Sequence, residues 1–177
     1  FVIDPADPAR PIEAVRIHDE GLFEAVVEGE GPTVYQWLIR DWRGGEQRLE
    51  DPYRFGRVFG AMDEYLWCEG NHLDIHRKLG AHPMTVEGVE GVHFAVWAPN
   101  ARRVSVVGDF NRWDGRVHPM RRLLGSGVWE IFVPGVGTGA HYKFELRDAH
   151  GALVLKADPF ARFAQHGIQT ASLVYDL

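Results

Sequence analysis

Cysteine is almost absent. Cys68 stands alone, so no internal disulfide can form and no cysteine pair can hold a zinc ion. The fold therefore needs no oxidising compartment, and the cytoplasm is the expected location. Long apolar runs are missing as well. Nothing approaches the ~20 residues of a membrane span, and the stretch after Phe1 does not have the pattern of a signal peptide. There is no basic run either: 19 Lys and Arg face 25 Asp and Glu, for a formal net charge of −6, which disfavours nucleic acid as a partner. No phosphate-cradling glycine loop and no nucleophile–base arrangement can be placed. The carboxylates have no pattern of alternating strands and helices, as in a barrel, to hold a pair of them across a glycosidic bond. No catalytic residue and no cofactor is expected. Hydrophobic residues, at 45% against 25% charged, are nonetheless enough to bury a core, so a folded chain of one large or two small domains is expected from 177 residues.

What the sequence does contain is a repeat. Tyr35–Asp41, YQWLIRD, matches Tyr142–Asp148, YKFELRD, at an offset of 107, and the same register pairs Gly44 with Gly151 and Asp51-Pro52 with Asp158-Pro159. Upstream, Gly21–Val27 matches Gly127–Val133 at an offset of 106. In the second copy, strands are expected over Val92–Ala98, Arg103–Val107, Val128–Val133, His141–Arg147, Leu153–Lys156 and Leu173–Tyr175, each ended by Gly, Pro, Asn or Asp turn residues. Short strands without intervening helices predict an all-β fold of two tandem immunoglobulin-like antiparallel sandwiches. The first sandwich is expected to be incomplete, because the counterpart of Val92–Asp114 would fall mostly before Phe1; the chain is thus expected to be a fragment. Between the copies, Asn71 can cap a helix whose apolar face is Leu73, Ile75, His76 and Leu79, with Gly80 and Pro83 to end it. The expected boundaries are 1–60 for the truncated first module, 61–84 for a helical linker and 85–177 for the second module.

Several residues invite a chemical reading and mostly resist it. His72 and His76 have metal-ligand spacing, but no third ligand is evident, and packing or solvent exposure explains them better; no metal is expected. Cys68 beside Trp67 reads as a small buried residue. Asp109 and Asp114 read as turn residues that cap backbone amides. The segment Gly108–Gly115, GDFNRWDG, differs: Phe110 can anchor inward while Trp113 sits at a loop tip between Arg112 and Asp114. An indole there can stack on the C–H face of a glucose unit, or it can pack against its own module or a neighbour.

Phe94–Gly115, FAVWAPNARRVSVVGDFNRWDG, resembles the isoamylase-type N-terminal module of α-glucan-active enzymes, and Ser126–Pro134, Tyr142–Phe144 and Gln169–Leu173 extend the likeness. Asp51–Gly56 and the stretch from His72 to Pro83, with its Gly-Ala-His-Pro, resemble the segment joining the two N-terminal modules of bacterial glycogen branching enzyme, an α-1,4-glucan 6-glycosyltransferase. The resemblance runs from about Gly21 to Leu177 and implies a non-catalytic region that binds or orients α-1,4-glucan or glycogen and packs on the catalytic domain of its parent chain. Purely structural modules, or a glycogen-targeting adaptor, are the competing readings. The family's catalytic residues have no positions here. Residue by residue, likeness to glycogen-binding modules, among them that of the AMP-activated protein kinase β subunit, places the sugar contacts on Trp113, Lys143, Ile168 and Thr170. The second stacking tryptophan of those modules falls near Leu155, and a hydrogen-bonding asparagine falls on Ser172; both are departures.

Overall fold

The computed structural model describes residues 1–28 and 34–176; Leu177, the expected last residue of the second module, lies outside them. The chain is all-β and antiparallel, and it divides into two compact units, Phe1–Arg54 and Phe55–Leu177. No helix among the described residues is long and apolar enough to cross a membrane.

The first unit contains β1 (Val2–Asp4), β2 (Asp7–Ile12), β3 (Val15–His18), β4 (Leu22–Glu24), β5 (Gln36–Arg40) and β6 (Glu46–Glu50). One sheet has the order β2-β1-β5-β6, and β3 and β4 form a separate ribbon. The second unit contains a helix α1 (Ala61–Cys68), then β7 (Gly80–Val86), β8 (Val89–Trp97), β9 (Arg103–Gly108), β10 (Arg121–Leu123), β11 (Val128–Pro134), β12 (His141–Arg147), β13 (Leu153–Lys156), β14 (Phe163–Ala164) and β15 (Ser172–Leu173). Its two sheets run β10-β11-β8-β7 and β13-β12-β15-β14, with β9 also paired to β12.

Two-residue alternation puts Val92, Phe94 and Val96 of β8 and Trp129, Ile131 and Val133 of β11 into the inter-sheet core with Val104, Val106, Tyr142 and Phe144. The opposite face of the same sheet is buried too. Ala95 and Val128 meet Phe59, Leu79 and Leu123, with Trp67 and Ile75 packed alongside. Burial on both faces explains why β8 and β11 read as nearly continuous apolar runs.

A buried carboxylate fastens this outer layer. Glu130 Oε2 accepts hydrogen bonds from the amides of Val58 (3.2 Å) and Phe59 (2.8 Å), and pairs with His93 Nε2 at 3.0 Å. Burial by itself would raise the Glu130 carboxyl, but His93 and the Phe59 amide outweigh it and hold the group below its ordinary value.

The repeat is visible bond by bond. Trp37 faces Leu49 and Arg40 faces Glu46 across β5 and β6, and displaced by 107 the same pairs meet across β12 and β13, where Phe144 faces Lys156 and Arg147 faces Leu153. Displaced by 106, the pairs Val15–Glu24 and Arg16–Phe23 become Arg121–Glu130 and Arg122–Trp129. In both copies a tyrosine hydroxyl donates to the aspartate of the Asp-Pro stop: Tyr35 to Asp51 at 2.6 Å and Tyr142 to Asp158 at 2.5 Å. In both, the turn aspartate accepts two amides with one oxygen, Asp41 from Arg43 and Gly45, Asp148 from His150 and Ala152. β1 stands against β5 as β9 stands against β12, so part of the stretch before Gly21, outside the range of the resemblance, also has a counterpart. The units then part company. β11 pairs with both β10 and β8, whereas β4 pairs with β3 alone among the described residues. Leu22 and Phe23 are accordingly exposed, while their counterparts Val128 and Trp129 are buried.

Around the joining segment the local expectations are corrected. The helix lies over Ala61–Cys68, earlier than Asn71–Leu79, which holds only a 3-10 turn at Ile75–Arg77. Its start is set by Gly60, whose amide donates to Asp63 Oδ2 at 3.1 Å. Gly80, expected to end a helix, instead opens β7, which pairs with β8 along its length; the demand of β8 for a second neighbour overrides the local spacing. Leu73, placed on the helix's apolar face, is 92% exposed. Cys68 is exposed as well, at the end of α1 rather than in the core.

Candidate functional site

The loop Gly108–Gly115 leaves the second unit at the end of β9. Gly108 departs in extended backbone, and a Cβ there would run into the His141 carbonyl and the Phe110 ring. Phe110 turns inward beside Phe94, ring centroids 5.7 Å apart, as its place in the loop predicts. The next three residues carry the geometry. Asn111 is buried: its Oδ1 accepts the Gly108 amide at 2.9 Å, and its Nδ2 donates to the Val106 carbonyl and to His118 Nδ1, both at 2.9 Å. Arg112 and Trp113 adopt φ of 55° and 62°. For residues with a Cβ the left-handed region costs about 1–2 kcal/mol each, so this turn needs support from its surroundings. The Trp113 amide returns to the Gly108 carbonyl at 3.0 Å.

Trp113 is 39% exposed, neither in the core nor free of the surface. Its indole N–H donates to Asp109 Oδ1 at 3.2 Å, while Asp109 Oδ2 accepts from the His141 amide at 3.1 Å and lies 2.9 Å from His141 Nδ1. Burial would raise the Asp109 carboxyl, but the His141 amide and ring and the Trp113 indole hold it below the usual aspartate value. Asp114 turns away to Arg116, whose hydrogen bonds bring its carboxyl down to about 2.

Beside this loop lies an open groove of about 710 Å³. Of the expected contacts, Trp113, Lys143 and Ile168 line it. Lys143 Nζ donates to Thr170 Oγ1 at 3.2 Å, which brings the fourth to its edge. Ile168 is 98% exposed, an aliphatic side chain projecting from the loop between β14 and β15. Leu155 on β13 also lines the groove, so the position of the absent second aromatic is an apolar contact without a flat face. Ser172 is buried instead, and its hydroxyl accepts the Asp158 amide at 2.9 Å. Five lining residues escape the sequence-based expectation: Asp109, His141, Gln165, Gln169 and Ala171. Asp109 offered a signal, four positions before Trp113, yet its partner His141 is 32 residues away.

His72 takes no part in this groove: its Nε2 pairs with Asp63 at 3.0 Å. Among the described residues no cluster of three His, Cys, Asp or Glu side chains could hold a metal ion.

Carbohydrate-binding module 48, the isoamylase N-terminal domain, matches residues 78–161. The 1,4-alpha-glucan branching enzyme GlgB of Rubrobacter xylanophilus is 56% identical over 170 residues, 95% of this chain and 23% of that protein. The chain is similar over most of its length to bacterial glycogen branching enzymes, and within it residues 78–161 match the isoamylase-type carbohydrate-binding module. The GlgB of Rhodospirillum rubrum is 55% identical over 92% of this chain and 22% of its own length. This chain thus spans under a quarter of the length of these branching enzymes, corresponding to their N-terminal part. Ligand-free PulA from Klebsiella pneumoniae is similar over 55% of this chain and 9% of that one, at 28% identity and a TM-score of 0.45.

Proposed function

We propose that this chain is the non-catalytic N-terminal region of a cytoplasmic glycogen branching enzyme, and that residues 85–177 hold α-1,4-glucan in the groove beside Trp113. In this reading Phe1–Arg54 is the first sandwich, and residues 55–60, α1 and β7 belong with the binding module on which they pack. The whole region packs on the catalytic domain of its parent chain and presents glucan to it. Trp113 supplies the stacking platform, Ile168 and Leu155 an apolar lip, and Lys143 with Thr170 the polar contacts to sugar hydroxyls.

The observation that carries the reading is convergence. Trp113 comes from the β9–β10 loop, Lys143 from β12, Leu155 from β13 and Ile168 from the β14–β15 loop, and all four line one groove. A half-exposed indole with an aliphatic neighbour suits the C–H faces of glucose units, and a lysine at the edge suits their hydroxyls. Titration of the chain with maltoheptaose, followed by NMR shifts and tryptophan fluorescence, tests it. Saturable binding on the order of millimolar is expected, and Trp113→Ala should weaken it about five- to tenfold, or ~1 kcal/mol. No saturable shift at tens of millimolar ligand would leave a module that only packs on its neighbours.

A further inference from the structure

We propose that Asn111 and Asp109 are positioning residues that hold Trp113 in its pose before any ligand arrives, so that the indole meets a ligand with its face and never with its N–H. The identity of the ligand rests on the glucan-binding reading; the pose does not.

Arg112 and Trp113 adopt the left-handed region in succession, without a glycine to ease either. A loop of polar and charged residues has ordinary turns available to it, so something must select this one. Asn111 does so from below. Three hydrogen bonds join its side-chain amide to the Gly108 amide, the Val106 carbonyl and His118, tying the end of β9 to the stretch before Arg112. Because Asn111 is only 6% exposed, water cannot replace a partner it loses. Asp109 does so from the side. One oxygen takes the indole N–H and the other is held by the amide and ring of His141, so the edge of the indole is tied to β12. Asp114, the loop's other carboxylate, is taken by Arg116 and cannot substitute. The indole nitrogen therefore has its single proton committed within the protein. Rigidity of this kind lowers the entropy lost on binding, which matters most where one aromatic must serve alone.

The test uses the whole chain labelled with nitrogen-15, in which the Trp113 indole resonance is assigned by its disappearance in Trp113→Phe. Asn111→Ala and Asn111→Asp should both shift this resonance and speed its exchange with deuterated water, while amides of β8 and β11 keep their shifts. Asn111→Asp matters because it preserves volume but replaces the donor to Val106 by a second acceptor. Asp109→Ala should shift the indole resonance and speed its exchange while the amides of 111–113 stay in place, and an unchanged indole signal in this variant would overturn the role of Asp109. In maltoheptaose titrations both Asn111 variants should bind about fivefold more weakly although Trp113 is intact, and Trp113→Phe, which keeps a ring face without the N–H, should stay within about twofold of the parent. An unchanged indole resonance and exchange rate in Asn111→Ala would overturn the positioning role, whether or not glucan binds. If Trp113→Phe falls as far as Trp113→Ala, the indole N–H does reach the ligand and the face-only statement fails. If the parent chain binds no maltoheptaose while Asn111→Ala still moves the indole signal, the positioning stands and the glucan reading falls.

Discussion

His118 accepts a hydrogen bond from Asn111 Nδ2 through Nδ1, which it can do only while that nitrogen carries no proton. Burial pushes its imidazole below the ordinary value. A histidine whose folded value is lowered favours the neutral ring in the native state, so its contribution is present above the unfolded value of about 6.5 and is lost as pH falls through the folded one. Amides of residues 109–113 should therefore be protected from hydrogen exchange at neutral pH and lose that protection as the pH falls below the ordinary histidine value, and His118→Phe should remove that dependence. In the same groove, Lys143→Ala should weaken maltoheptaose binding less than Trp113→Ala does, because an exposed hydrogen bond contributes only about 0.5–1.5 kcal/mol and Thr170 already engages the amine. The place of Trp113 in a loop was legible because Asp, Asn and Gly around it announce a turn, but those residues do not decide whether the indole packs or faces solvent, and it is 39% exposed. Asp109 was legible only as a turn residue, since hydrogen bonding to β12 depends on sheet pairing that no local pattern encodes. Cys68 was misread because composition favours a buried cysteine, whereas the side of α1 that packs is decided by Trp67 and the outer face of β8.

Among elements, the strap Phe55–Gly60 shows how one side chain can decide where a segment lies. Phe55 packs on Phe132 with ring centroids 4.8 Å apart, Arg121 donates to the Phe55 carbonyl at 2.7 Å, and Glu130 takes two amides of the strap. Removing His93 leaves the Glu130 carboxylate buried with one fewer partner, and breaking such a pair costs about 3–5 kcal/mol. His93→Ala should thus lower the melting temperature of the second unit markedly, and Glu130→Ala should in addition release the Val58 and Phe59 amides to exchange. A melting temperature unchanged by His93→Ala would show that the pair is dispensable. The inner strands were readable from alternation and turn residues, and so was the register of the repeat. The joining segment was not. Its helical spacing from Leu73 to Leu79 is real, but β8 needs a partner on its second edge, and that long-range demand draws Gly80–Val86 into the sheet.

For the whole molecule, the two units share their hydrogen-bond registers but not their cores. Among the described residues of the first unit only Val2, Ile3 and Leu38 are buried apolar side chains, while Val15, Ile17, Leu22 and Phe23 stay more than half exposed. A groove of about 580 Å³ opens beside Phe23, Trp37 and Ile39. Apolar burial contributes roughly 25 cal/mol per Å², so the first unit should open at lower denaturant than the second. Hydrogen exchange resolved by residue checks this: equal protection of β5 and β12 in a monomer would contradict it. The repeat itself was the clearest whole-molecule signal in the sequence, because its turn aspartates and its Asp-Pro stops recur at fixed spacing; how much each copy buries depends on which strands stand beside β4 and β11.

The paired tyrosine–aspartate contacts give each unit its own alkaline indicator. Burial, reinforced by the neighbouring Asp51, moves the Tyr35 phenol up to about 12, and burial beside Asp158 carries Tyr142 higher still. A phenol whose folded value is raised holds its proton in the native state after the unfolded chain, at about 10, has begun to lose it, so each contact stabilises fully below that pH and fails as the pH climbs through the folded value. Phenolate absorbs in the near ultraviolet, and the two units should therefore ionise these tyrosines in sequence, Tyr35 first. Tracked in Tyr35→Phe and Tyr142→Phe chains, an alkaline titration becomes a way to watch one sandwich come apart while its twin still holds.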